Sequence, residues 1–292
     1  MASSTARKKR RKKRRGKKAG RSAALWIVIL LLAVLGMLLL FRTAFRMGQA
    51  QRPVPEEPSP AVTQPLPPST LDKDCFGWGN GFKTYSDGVL RARVGVDVSS
   101  HQEEIDWAAV SESGVDFAVI RAGFRGYGDG STQQDEYFTR NMEGALANGL
   151  DVGVYFFSQA LNPEEARAEA HEVLSMISGY DVRYPIYFDW EPIDGDEART
   201  DTISARELTD CALAFCQVIE DAGYEAGIYF NLTMAIHYYH LTELKDYTFW
   251  LAEYQEVPSF PFAFSMWQYS DKGAVAGIST AVDLDLCFER EA

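Results

Sequence analysis

The residues best placed to do chemistry are acids set inside short apolar runs. Gly95-Val96-Asp97-Val98, Tyr187-Phe188-Asp189-Trp190-Glu191 and Val282-Asp283-Leu284-Asp285-Leu286 each carry carboxylates where an unpaired charge is expensive to bury. Side chains two apart on a strand share a face, so Asp189 should point with Glu191, and Asp283 with Asp285. Crowded carboxylates raise one another's pKa, so one can keep its proton near neutrality and act as a general acid. Cleavage of a glycosidic bond needs that division of labour. The chain's histidines, His101, His171, His237 and His240, form no cluster and adjoin no nucleophile elbow. The sequence therefore points to no metal and no cofactor, and away from Ser-His-Asp catalysis. His101, just after the first acidic strand, is a candidate for the rim of a site. Aromatic rings stack on sugar faces as readily as on their neighbours, so Tyr155, Phe157, Tyr229 and Trp267 are read both as sugar-binding candidates and as core. Trp190 alternates with Asp189 and Glu191 and is read as core.

These residues need a scaffold that gathers strand ends. Strand-like runs recur at 94–98, 117–122, 152–157, 185–190, 226–230, 248–252, 265–269 and 282–286, short and mostly unbroken, as buried parallel strands are. Helical patterns at 105–113, 135–148, 163–177, 204–222 and 233–244 separate the first six. Asn162 offers a cap, Pro163 fits a first turn, and Gly223 follows a helix end. Eight strands and five helices in two hundred residues predict an α/β fold, an irregular TIM-like (β/α)5(β)3 barrel with chemistry at the carboxyl ends of its strands.

The rest of the chain has other duties. Of its 292 residues, 1–55 carry 15 Lys and Arg and no acid, while the remainder carries 14 Lys and Arg against 41 Asp and Glu. Nucleic-acid binding by the acidic part is excluded for want of clustered cations. A basic run at 1–21 precedes an uncharged segment at 22–42, whose apolar stretch 23–41 would cover about 28 Å as a helix, close to one hydrocarbon core. With most cations before the span, the positive-inside bias predicts a single-pass anchor in the cell membrane, its amino terminus cytoplasmic and the large domain outside. Residues 43–70, rich in proline, read as an extended spacer. Residues 71–92, rich in glycine and aromatics, read as an extension lying across the barrel's base or gating its mouth, and 93–292 as the catalytic domain. Cys211 and Cys216 read as core residues of one helix, and Cys75 and Cys287 could pair across the domain ends.

From about residue 93 to 288 the chain resembles the glycoside hydrolase family 25 lysozymes, which are N-acetylmuramidases. The resemblance rests on Gly95-Val96-Asp97-Val98-Ser99, Asp106-Trp107, the run from Phe117 to Gly123, Asp135 with Phe138 and Asn141, and Gly149-Leu150 leading to Gly153-Val154-Tyr155-Phe156-Phe157. Pro185…Asp189-Trp190-Glu191, Gly227-Ile228-Tyr229, Trp267-Gln268-Tyr269 and Val282-Asp283 complete it, in order along the domain. It implies a barrel of five helices and eight strands. It also implies hydrolysis of the β-1,4 bond between N-acetylmuramic acid and N-acetylglucosamine in peptidoglycan glycan strands. Glu191 matches the family's general acid, and Asp97, Asp189 and Asp283 its other active-site acids. Gln268 and Asp285 are further substrate-binding candidates, and Asp285 departs from the Asn that the family often has there. Two alternatives stay open: a chitinase-like barrel glycosidase, whose motif the residues from Pro185 to Phe188 do not meet, and a non-catalytic wall-binding module.

Overall fold

A computed structural model of the chain describes residues 65–291. The basic run, the apolar segment 22–42 and most of the proline-rich stretch lie outside the described residues. Among the described residues no helix is long and apolar enough to cross a membrane.

The described part opens with a hairpin, β1 (Phe76–Gly79) and β2 (Phe82–Tyr85), turned through Asn80-Gly81. Both turn residues have positive φ, 52° and 87°, as a two-residue turn matched to strand twist requires. Then come β3 (Leu90–Val98), α1 (Trp107–Glu112), β4 (Phe117–Arg125), the short β5 (Thr132–Gln134) and α2 (Phe138–Ala147). They are followed by β6 (Asp151–Phe157), α3 (Pro163–Met176), β7 (Ile186–Asp189), α4 (Ala205–Asp221), β8 (Ala226–Asn231) and α5 (Leu232–His237). The chain finishes with β9 (Thr248–Ala252), β10 (Met266–Gly273) and β11 (Val282–Arg290). Asn162 caps α3 through Glu165 N, and Ser204 with Glu207 closes a capping box on α4.

Eight of the strands close on themselves in the order β3-β11-β10-β9-β8-β7-β6-β4, with β4 returning to β3 and β5 added antiparallel to β4 outside the ring. The expected eight-stranded α/β barrel is thus present. Three details differ from the sequence reading. The last helix, expected over 233–244, stops at His237 and resumes only as a 3-10 turn at Leu241–Glu243. β11 runs antiparallel to both of its neighbours, β3 and β10. Its amino end, not its carboxyl end, therefore lies level with the carboxyl end of β3. Residues of the extension at 71–92 border Val94, Gly114 and Asp116 at the base end of β3 and β4, and none of them lines the mouth. The extension lies along the helix-free flank, where Phe76 meets Trp267 edge-on at 5.4 Å and Phe288 at 6.0 Å, and Trp78 meets Tyr269 at 6.4 Å.

The helix-free flank needs that cover. Gln268 turns into the barrel, so its neighbours Trp267 and Tyr269 face outwards, yet both are buried. Lys83 from β2 fixes the hairpin there. Its ammonium donates to Glu256 O at 2.7 Å and stands 4.7 Å from the Trp78 ring. The end of the expected spacer joins the same flank. Ser69 N donates to Pro261 O, Ala263 N donates to Pro67 O, and Leu66 is buried. The four cysteines are free thiols, with Cys211 and Cys216 buried on α4, and Cys75 and Cys287 unlinked.

Candidate active site

The closed ring gathers the acids at one mouth. Asp97 lies one residue before the end of β3 and faces Asp283, the second residue of β11, directly across the antiparallel pair. In that arrangement the Cβ atoms are roughly 5 Å apart. Asp189 ends β7 with Phe157 and Tyr229 as its register partners on β6 and β8. Glu191 follows two residues later, its backbone carbonyl accepting from Gln159 Nε2 at 3.1 Å. Asp97, Asp189, Glu191 and Asp283 all line one cleft of about 890 Å³, together with Tyr155, Phe157, Tyr229, Trp250, Tyr254 and Gln268.

Burial governs the charge state of this mouth. It pushes the Glu191 carboxyl up to about 7, with the Asp283 charge adding to the effect. Asp283 rises to about 6, chiefly through burial and then through Asp271. Asp189 rises well above the ordinary aspartate range through burial and the nearby Glu191, against an opposing pull from the Arg121 guanidinium. Its Oδ1 is buried without a hydrogen-bond partner in the protein. Asp97 is likewise pushed up by burial and by Asp283 and Asp285, while Gln268 Nε2 donates to its Oδ2 at 2.7 Å. Gln268 is itself fixed by Tyr229 and Tyr254, whose hydroxyls donate to its Oε1 at 3.1 and 2.9 Å.

A cleft that crowds four carboxyls near the Arg121 guanidinium, rimmed by aromatic rings, fits acid-assisted cleavage of a carbohydrate bond. Comparison with known proteins agrees. Residues 96–278 match the family model described as "Glycosyl hydrolases family 25". The chain belongs to glycosyl hydrolase family 25. It is 29% identical over 192 residues to the "Autolytic lysozyme" of Clostridium acetobutylicum, an alignment that covers 65% of this chain and 54% of that protein. The chain thus spans about half the length of that relative. Among solved structures, the modular autolysin LytC of Streptococcus pneumoniae, in complex with a synthetic peptidoglycan ligand, superposes with a TM-score of 0.58 at 24% identity, over 68% of this chain and 47% of that one. A family 25 glycosyl hydrolase from Bacillus anthracis superposes with a TM-score of 0.56 at 21% identity, over 70% and 91% of the two chains.

Within this family 25 domain, two of the sequence candidates sit elsewhere than expected. Trp267 is not in the mouth: it faces outwards, fully buried under the hairpin, its Nε1 donating to Glu253 O at 2.8 Å. In a closed barrel with a covered flank both faces of a strand are buried, so an aromatic on β10 gives no sign of which way it points. Asp285 shares a face with Asp283 as expected, but antiparallel β11 carries it down into the barrel. There it is fully buried, and Trp250 Nε1 donates to its Oδ1 at 2.8 Å. It is too deep to meet a substrate. Trp190 is core as read, its Nε1 donating to Thr200 Oγ1 at 3.1 Å.

Sequence reasoning passed over Arg121. Its Nε donates to Asp135 Oδ2 at 2.8 Å and its guanidinium also reaches Ser100 Oγ at 2.9 Å, which brings one positive charge to the cleft. The signal was available: a cation inside the apolar run Phe-Ala-Val-Ile-Arg-Ala is as costly as the acids that were noticed. Tyr254 and Tyr127 also line the cleft. Tyr127 lies in a loop, where strand periodicity is silent, whereas Tyr254 stands two residues past the end of β9, among the aromatics that the sequence places near strand ends. His101 does reach the cleft wall.

Proposed function

We propose that this family 25 domain is a peptidoglycan hydrolase that cleaves the β-1,4 bond between N-acetylmuramic acid and N-acetylglucosamine. The observation that carries the mechanism is the pairing of Glu191 with Asp189. Glu191, with Asp283 beside it, holds its proton towards neutrality, and Arg121 is the one neighbour that pulls against the rise which burial and Glu191 impose on Asp189. Glu191 then protonates the leaving oxygen. Asp189 presents its unpaired Oδ1 to the N–H of the substrate's 2-acetamido group and orients that group for attack on the anomeric carbon, a substrate-assisted exception to the two-carboxylate scheme. Asp97 and Asp283 bind sugar hydroxyls and tune the pair. Tyr155, Phe157 and Tyr229 supply the apolar faces, and Gln268 holds Asp97 in place.

We also propose, from the sequence of residues 1–42, that a membrane anchor holds the domain outside the cell. The acidic domain gains little general attraction to an anionic wall, and a tether supplies the local concentration that charge does not. Release of reducing ends from peptidoglycan but not from chitin supports the assignment. Equal release from both speaks for a chitinase-like enzyme, and binding without release for a wall-binding module.

A further inference from the structure

The floor of the barrel beneath the proposed catalytic acids holds a carboxyl that chemistry at the mouth does not use. Asp285 has no exposure to solvent. Its Oδ1 takes the indole N–H of Trp250, while its Oδ2 is buried without a conventional donor. Its nearest acidic neighbour is Asp97: the register sets Asp97 opposite Asp283, two residues from Asp285 on the same face of β11, and the two buried carboxyls act directly on each other. Asp97 is buried too and already accepts from Gln268 Nε2, whose own acceptor is filled by Tyr229 and Tyr254. Two carboxylates are acceptors only, so no hydrogen bond between them exists unless one carries a proton. We propose that Asp285 is a positioning residue that shares one proton with Asp97, so that the pair carries a single negative charge and the Asp97 carboxylate is fixed beneath the reacting sugar.

The surroundings hold that proton. Asp97 comes from β3, Asp283 and Cys287 from Asp285's own strand, Tyr187 from β7 and Tyr269 from β10, and none of these is a cation. Burial, the largest cause, together with Asp283 lifts Asp285 to about 8 against the opposing hydrogen bonds of Trp250 and Asp97. A second full charge on the floor would act on Asp283 and Glu191 above it. The shared proton removes that charge without removing a hydrogen bond. An Asn at 285 achieves the same with a fixed amide donor.

The proposal rests on the hydrolase reading only for its effect on rate, so the test reads the proton separately. The full chain, labelled with 13C at aspartate carboxyls, is examined by infrared spectroscopy at pH 7. The parent should show a protonated carboxyl band that Asp285→Asn removes, and Asp97→Asn should remove the same band, because one proton serves both. Thermal unfolding gives the second arm. The folded chain keeps a proton that an unfolded aspartate releases near pH 4, so this group makes stability fall as pH rises from 4 towards 8. The melting temperature of Asp285→Asn relative to the parent should therefore climb between pH 5 and pH 7. On peptidoglycan, Asp285→Leu should lose about tenfold in kcat, the rate equivalent of one lost hydrogen bond, and Asp285→Asn should recover most of it. An unchanged band in Asp285→Asn, with melting curves parallel in pH, overturns the shared proton even if the chain cuts the wall. Loss of the band with no hydrolysis by the parent upholds it and rejects the hydrolase reading instead.

Discussion

The two halves of the barrel wall solve the same problem by different means. From β4 to β8 the strands run parallel and their outer faces are covered by helices that follow close behind in sequence. Leu208, Cys211, Phe215 and Ile219 on α4 are buried in this way. From β9 through β10 and β11 to β3 no α-helix intervenes, and the cover is the hairpin and the segment before it, drawn from the beginning of the described chain. The acids divide along the same line. Asp189 and Glu191 stand on the helix-clad side, with the Arg121 guanidinium acting on Asp189. Asp97, Asp283 and Asp285 stand on the helix-free side, on an antiparallel pair that stacks carboxyls in depth. In the proposed mechanism the helix-clad side supplies the reacting pair, and the helix-free side supplies a supporting column of carboxyls on a flank covered by a distant piece of chain.

The largest effect belongs to the reacting pair. Glu191→Gln should lower kcat on peptidoglycan by about 10²–10⁴-fold with the melting temperature kept, as loss of a general acid does. A Gln variant with full activity removes Glu191 from that role. On the other side the loss should appear in stability. Trp267→Ala should destabilise the domain by about 3–5 kcal/mol in urea unfolding, since it empties the space beneath the hairpin, while KM of the folded fraction stays level. A raised KM at unchanged stability would return Trp267 to the substrate cleft. A third effect sits between the halves. Glu191 is protonated below about 7, so kcat/KM should fall about tenfold per pH unit above that value. A rate that is flat from pH 6 to 9 contradicts a protonated Glu191. The smallest change should come from Lys83→Met, which keeps the stem but removes the ammonium from Glu256 O and the Trp78 ring. It should cost about 1–2 kcal/mol of stability and leave kcat alone. A more stable Met variant would mean that burying the charge outweighs its contacts.

The same division explains how much could be read from sequence. All eight barrel strands were legible because each is a short apolar run, and the longer helices because of their apolar spacing, with Asn162 and Pro163 marking the start of α3 and Gly223 the end of α4. The acids stood out because Asp97, Asp189 and Asp283 interrupt those runs. What escaped depends on direction and distance. Nothing local to 282–286 says that the strand runs antiparallel, so the depth of Asp285 could not be read from its shared face with Asp283. Nothing local to Trp267 says that Phe76, far back in the chain, covers it. Asn80-Gly81 between short aromatic runs is a hairpin signal that the reading of 71–92 as an extension did not use, and it says nothing of the surface the hairpin rests on.

The account stands or falls on which sugar is left at the cut. Purified peptidoglycan is digested with the full chain, and the soluble fragments are reduced and analysed by mass spectrometry. The account predicts that the reducing ends released are N-acetylmuramic acid, and that they disappear with Glu191→Gln. Reducing-end N-acetylglucosamine, or release that persists in the Gln variant, would contradict it.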